Sequence, residues 1–98
     1  MRILVCMEVD DHIRDLIREL EVERVIVLTD KVVEPRIDDV RIDVVSRDLW
    51  HQLAHELGEE RATIYIVLHH DVKLMLRLAR ELLIKNPAVH LIYNSEVI

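Results

Sequence analysis

Residues 63–93, TIYIVLHHDVKLMLRLARELLIKNPAVHLIY, decide the fold of this chain. The opening apolar run, TIYIVL, is short and rich in β-branched residues, which predicts a strand covered on both faces. Asp71 then caps a helix over 72–85, which stops at Asn86-Pro87 because the residue before a proline is disfavoured in the helical region. A second apolar run over 89–93 predicts another strand. Two strands joined by a helix are typical of a parallel pair with a crossover connection.

The same alternation of apolar runs and helices precedes this stretch. A strand is predicted over 3–7, followed by a helix with an aspartate cap, and a second buried strand over 24–28. Apolar and charged residues alternate over 40–44, which predicts a strand with one wetter face, near a sheet edge. Ser46 caps a second helix, which Gly58 ends.

These elements predict one α/β domain over residues 1–98. We expect three helices on a three-layer, mostly parallel five-stranded sheet of the flavodoxin-like or Rossmann-like kind. One link is irregular, because the segment 30–39 is short for a crossover and has no helical period. Either the third strand runs antiparallel or an extended loop replaces a helix, so the direction of this edge strand is left open.

Composition excludes several classes of protein. The net charge of −6 argues against a general nucleic-acid or anionic-membrane binder. Cys6 is the only cysteine, so no internal disulfide is possible. The first apolar run is too short for a signal peptide, and no run reaches the ~18–20 apolar residues of a membrane span, so we expect a cytoplasmic protein. One glycine and 33% charged residues resemble thermophile usage.

Acids and histidines follow the predicted strands. In open parallel sheets, ligands bind beyond the carboxyl ends of the strands, where Asp10, Asp11, Asp48, His69 and His70 are expected. Carboxylate oxygens and imidazole nitrogens are suitable ligands for a divalent metal, and the sequence indicates no other cofactor. The alternative is that the aspartates act only as helix caps and first-turn acids.

Two of these segments resemble the receiver domains of response regulators. They are VDDH after the first strand and DVVSRDL at the end of the third. The resemblance implies that Asp10 and Asp11 hold magnesium and that Asp48 accepts phosphate. The chain departs from the family pattern, since His69 stands where receivers have serine or threonine, no lysine follows the fifth strand, and one helix is missing. We therefore do not assign it to that family.

Other site motifs are incomplete. His51 and His55 lie one helical turn apart and form an alternative surface metal pair, but a third ligand is needed. No glycine lies at a strand-to-helix turn, which argues against a phosphate cradle. No serine is tied to a histidine and an acid, so no catalytic residue is assigned.

The third helix has an apolar arc of about 200°, wider than the stripe of about 100° that one sheet face needs. The surplus must be buried against neighbouring helices or a partner. We assign a partner surface to residues 72–84, chiefly Leu74, Met75, Leu78 and Leu82, with a homodimer as the simplest assembly.

The sequence thus favours a non-catalytic α/β module that acts by protein association, as a homo-oligomer or a subunit. The alternative is a divalent-metal-binding protein or metal-dependent enzyme that uses the strand-end acids and histidines.

Overall fold

Three helices pack on a seven-stranded mixed sheet in the computed structural model, which describes residues 1–98. The helices are α1 (Asp11–Glu19), α2 (Trp50–Gly58) and α3 (Val72–Lys85). The strands are β1 (Arg2–Cys6), β2 (Arg24–Leu28), β3 (Arg36–Ile37), β4 (Val40–Val45), β5 (Thr63–Val67), β6 (Val89–Tyr93) and β7 (Glu96–Val97). None of the helices is long and apolar enough to cross a membrane.

The strand order is β3-β4-β2-β1-β5-β6-β7. Each edge strand pairs antiparallel with its neighbour, whereas the pairs β1–β2, β1–β5, β2–β4 and β5–β6 are parallel. The prediction of a mostly parallel five-stranded sheet, flavodoxin-like or Rossmann-like, is therefore wrong, because the sheet has seven strands and is mixed. Strands β3 and β7 were missed because two residues are too few to show an alternating pattern.

Both antiparallel edges are made by tight hairpins. Asp38 has a φ of 53° in the turn between β3 and β4. Asn94 and Ser95 have φ values of 49° and 68° in the turn between β6 and β7. The β6–β7 turn thus has positive φ at both central residues and the β3–β4 turn at the first only, and both geometries suit the twist of a two-residue hairpin.

The connection between β2 and β4 contains an extended loop and β3 instead of a helix. The third predicted strand corresponds to β4, which is parallel to β2. Of the two alternatives left open by the sequence, the extended loop in place of a helix is therefore the one observed. Val33 and Ile37 pack from this segment onto the α1 side of the sheet. The cover is incomplete, because Val44 remains 46% exposed.

Two apolar clusters form the core, one on each face of the sheet. Ile3 and Val5 of β1 contribute to the cluster under α2 and α3, whereas Leu4 and Cys6 contribute to the cluster under α1. This alternation follows from the two-residue period of a strand. It explains why the central strands β1, β2 and β5 are apolar at every position after the first.

The caps of α1 and α3 are confirmed. The Asp10 carboxylate accepts a hydrogen bond from the Ile13 amide at 2.9 Å, and that of Asp71 accepts one from the Leu74 amide at 3.2 Å. The predicted Ser46 cap is wrong. Ser46 precedes a short 3-10 helix over 47–49, and its hydroxyl donates to Asp30 at 2.7 Å.

Gly58 is the last residue of α2, and its φ is not positive. It therefore does not end the helix in the left-handed conformation typical of glycine. A Cβ at this position would lie 2.8 Å from Cδ of Lys85, so the glycine allows the close approach of the Lys85 side chain.

Candidate functional site

A crevice of about 490 Å³ lies at the carboxyl ends of the parallel strands. Its walls come from the segments after β1, β2, β4 and β5, together with α1 and β3. The lining residues are Met7, Glu8, Val9, Arg14, Thr29, Lys31, Val32, Val33, Glu34, Ile37, Arg47 and His70. The strand order reverses between β1 and β5, and the crevices of open α/β sheets form at such a switch point. No helix follows β2, so one side of the crevice is formed by the extended loop before β3.

Charged side chains dominate the polar part of this crevice. Glu8 Oε2 lies 2.6 Å from Nε2 of His70. Arg47 binds the carboxylate of Asp71, the cap of α3. Arg14 and Lys31 form no ion pair. The crevice therefore contains two cations that are free to bind a ligand.

The apolar part of the crevice lies mainly on the segment after β2. Val33 is half-buried and Ile37 is buried. Val32 also lines the crevice and is fully exposed, at 102% of its reference area. The crevice thus has an apolar wall beside its cations.

The predicted metal ligands do not gather in this crevice. Of Asp10, Asp11, Asp48, His69 and His70, only His70 lines it. The carboxylate of Asp10 is engaged by the helix cap. No group of three or more His, Cys, Asp or Glu side chains is arranged to hold a metal ion. Metal binding by these residues stays an untested prediction.

The rings of His69 and His70 are in contact, with centroids 4.0 Å apart, but the two residues line different cavities. His69 lies in a small depression with His12 and Ser95, and the Ser95 hydroxyl is 3.0 Å from Nδ1 of His12. Sequence reasoning missed this serine–histidine pair because the β6–β7 hairpin brings together residues 83 positions apart. No carboxylate bonds to His12, so the third group of a nucleophilic triad is not present.

The two histidines of the alternative metal pair, His51 and His55 on α2, each contact another side chain, and metal binding by the pair stays an untested prediction. The ring of His51 lies 4.0 Å from that of Trp50. His55 Nδ1 is 3.3 Å from the ammonium nitrogen of Lys85, on α3.

The predicted interface residues of α3 require a correction. Met75, Leu78 and Leu82 are fully buried within the chain, and Leu74 packs partly buried against the same cluster. Most of the wide apolar arc is therefore covered by α2 and the sheet. Met75, Leu78 and Leu82 cannot form a surface for a partner.

A narrower apolar stripe on α3 does reach the surface. Val72, Leu76 and Leu83 are 42, 44 and 47% exposed and lie within about 40° of one another around the helix. Lys85 lies on the side that faces α2, so the stripe faces away from α2, towards the β6 edge. Tyr93, 50% exposed, is on the same sheet face as Val89, which packs in the α3 cluster. We call Val72, Leu76, Leu83 and Tyr93 the apolar rim.

Comparisons with known proteins give no match: no family model, curated protein or solved structure matches this chain.

Proposed function

We propose that this chain acts by protein association and that its partner is a second copy of itself, bound through the apolar rim. The single observation that carries the proposal is the exposed stripe of Val72, Leu76 and Leu83 along α3. When another surface covers neighbouring apolar side chains, they are removed from water, and this lowers the free energy of the assembly. The rim replaces the surface of Met75, Leu78 and Leu82 expected from the sequence.

A second copy is the simplest partner for the stripe, because most soluble oligomers are homo-oligomers and two-fold dimers are the commonest of them. Ala79 lies within the same arc of the helix but is buried in the core at 2% exposure, so the exposed stripe consists of Val72, Leu76 and Leu83. Two such helices packed antiparallel about a two-fold axis would place Val72 of one copy against Leu83 of the other, with the Leu76 side chains of both copies near the axis. A closed two-fold dimer needs this self-complementarity.

The mass of the chain in solution tests the proposal. Light scattering after size-exclusion chromatography should give about twice the monomer mass of 11.6 kDa for the wild type. Leu76→Glu and Leu83→Glu should reduce it to the monomer mass, because a charge would be buried in the interface.

Ile84→Glu is the matched control. Ile84 is on the same helix and is 76% exposed, but it lies about 100° around the axis from Leu83. This variant should keep the mass of the wild type. Circular dichroism checks that all three variants are folded. A strictly monomeric wild type at micromolar concentration, or equal effects of Leu83→Glu and Ile84→Glu, would refute the proposal.

A further inference from the structure

The crevice at the carboxyl ends of the strands is a separate surface from the apolar rim. It has a volume of about 490 Å³, and small-molecule pockets commonly have about 300–1,000 Å³. Four strands direct their following segments into it, so its walls are anchored on the sheet.

The unpaired cations indicate an anionic group. Arg14 is fixed on the first turns of α1, and Lys31 follows a turn in which its own amide donates to the Thr29 hydroxyl at 3.2 Å. Both side chains line the crevice without a carboxylate partner, in a chain whose net charge is −6. Charge-assisted hydrogen bonds to an anion are the strongest contacts that such groups make.

The same walls argue against a polyphosphate. The N-terminus of α1 is already capped by Asp10, and no glycine opens the turn after β1 to bring amides close to phosphates. Glu8 and Glu34 also line the crevice, and they would repel a ligand of high negative charge. The Glu8 carboxylate is paired with Nε2 of His70 at 2.6 Å, whereas Glu34 forms no ion pair.

The apolar wall indicates that the remainder of the ligand is apolar. Val32 is fully exposed beside Val33 and Ile37, so an apolar body in the crevice would cover it. We propose that the crevice binds a small organic acid, with its anionic group held by Arg14 and Lys31 and its apolar body lying on Val32, Val33 and Ile37.

Nuclear magnetic resonance titration of the ¹⁵N-labelled full chain tests this site. The probes are hexanoate, hexyl phosphate, the neutral hexanamide, and inorganic phosphate. Hexanoate or hexyl phosphate at roughly millimolar concentration should shift the amides of residues 7–14 and 29–37. Hexanamide lacks the charge and inorganic phosphate lacks the apolar body, so both should bind more weakly. The stronger of the two amphipathic acids identifies the anionic group.

Arg14→Gln and Lys31→Gln should each weaken binding by about tenfold or more, because each removes a charge-assisted hydrogen bond. The matched controls, Arg77→Gln and Lys73→Gln, remove exposed, unpaired cations of α3 outside the crevice and should leave the affinity unchanged. Since the site is independent of the apolar rim, Leu83→Glu should bind like the wild type. The proposal is overturned if neither acid shifts these amides, if hexanamide binds as well as hexanoate, or if the control variants weaken binding equally.

Discussion

Replacing Leu78 by alanine removes a fully buried side chain from the middle of α3. Leu78 belongs to the cluster of 15 buried residues between the sheet and the helices α2 and α3. A leucine-to-alanine change at such a position costs about 2–5 kcal/mol, since the lost transfer free energy is added to that of the cavity. We expect a fall of this size in the free energy of unfolding. For a domain of this length, it corresponds to a drop in Tm of roughly 8–40 °C.

Leu76→Ala is the control on the same helix. Leu76 is 44% exposed, so the truncation should cost about 1 kcal/mol or less. Urea denaturation followed by circular dichroism measures both values. The experiment is made in the Leu83→Glu background, because association would otherwise add its own concentration-dependent stability. Equal losses for the two variants, or a loss below about 1 kcal/mol for Leu78→Ala, would show that the placement of Leu78 in the core is wrong.

Three further predictions concern single residues. Asn86 is buried and links the segments before β5 and β6, because its side chain donates to the Ala62 carbonyl at 2.9 Å and accepts from the Ala88 amide at 2.8 Å. Asn86→Ala should lower the free energy of unfolding by about 1–3 kcal/mol in denaturant titrations. An unchanged free energy of unfolding would contradict this role. Burial raises the pKa of the Cys6 thiol from 9.0 to about 12, so the thiol ionises at a lower pH in the unfolded chain than in the folded chain. The contribution of this thiol to stability is complete below pH 9 and is lost between pH 9 and about 12; Cys6→Val should lack that alkaline loss in thermal melts, and an unchanged pH profile would count against the assignment. Gly58→Ala should raise the unfolding free energy by up to about 1 kcal/mol, because alanine favours the helix and the flexible Lys85 side chain can move aside; a clear drop in Tm would mean that Lys85 is held rigidly.

The sequence predicted the helices and strands whose own residues show a clear hydrophobic pattern. The helix expected over 72–85 is confirmed at Val72–Lys85, and the apolar runs correspond to β1, β2, β5 and β6. After their first residue, β1, β2 and β5 are apolar because both faces of the sheet are covered, and this pattern can be read from the sequence alone. The edge strands β3 and β7 escaped detection because pairing with a neighbour, and not their own composition, makes them strands.

The candidate sites were less accessible to sequence reasoning because they depend on distant contacts. The pair of Glu8 and His70 joins the ends of β1 and β5, and nothing local in either segment indicates the other. The helical wheel of α3 showed the width of its apolar arc but not which part of it α2 would cover. Only the packed structure separates the core residue Leu78 from the surface residue Leu76.

The two short edge strands also affect how the sheet meets other chains. The segments most prone to cross-β stacking, such as TIYIV in β5 and RVIVL in β2, lie in the interior of the sheet. Each edge ends in a strand of only two residues, which is too short to template the addition of a foreign strand. The folded chain is thus protected from lateral growth into fibrils, and the danger is confined to the moments when it unfolds. Refolding at low protein concentration should therefore matter more for recovering this protein than storage at low concentration.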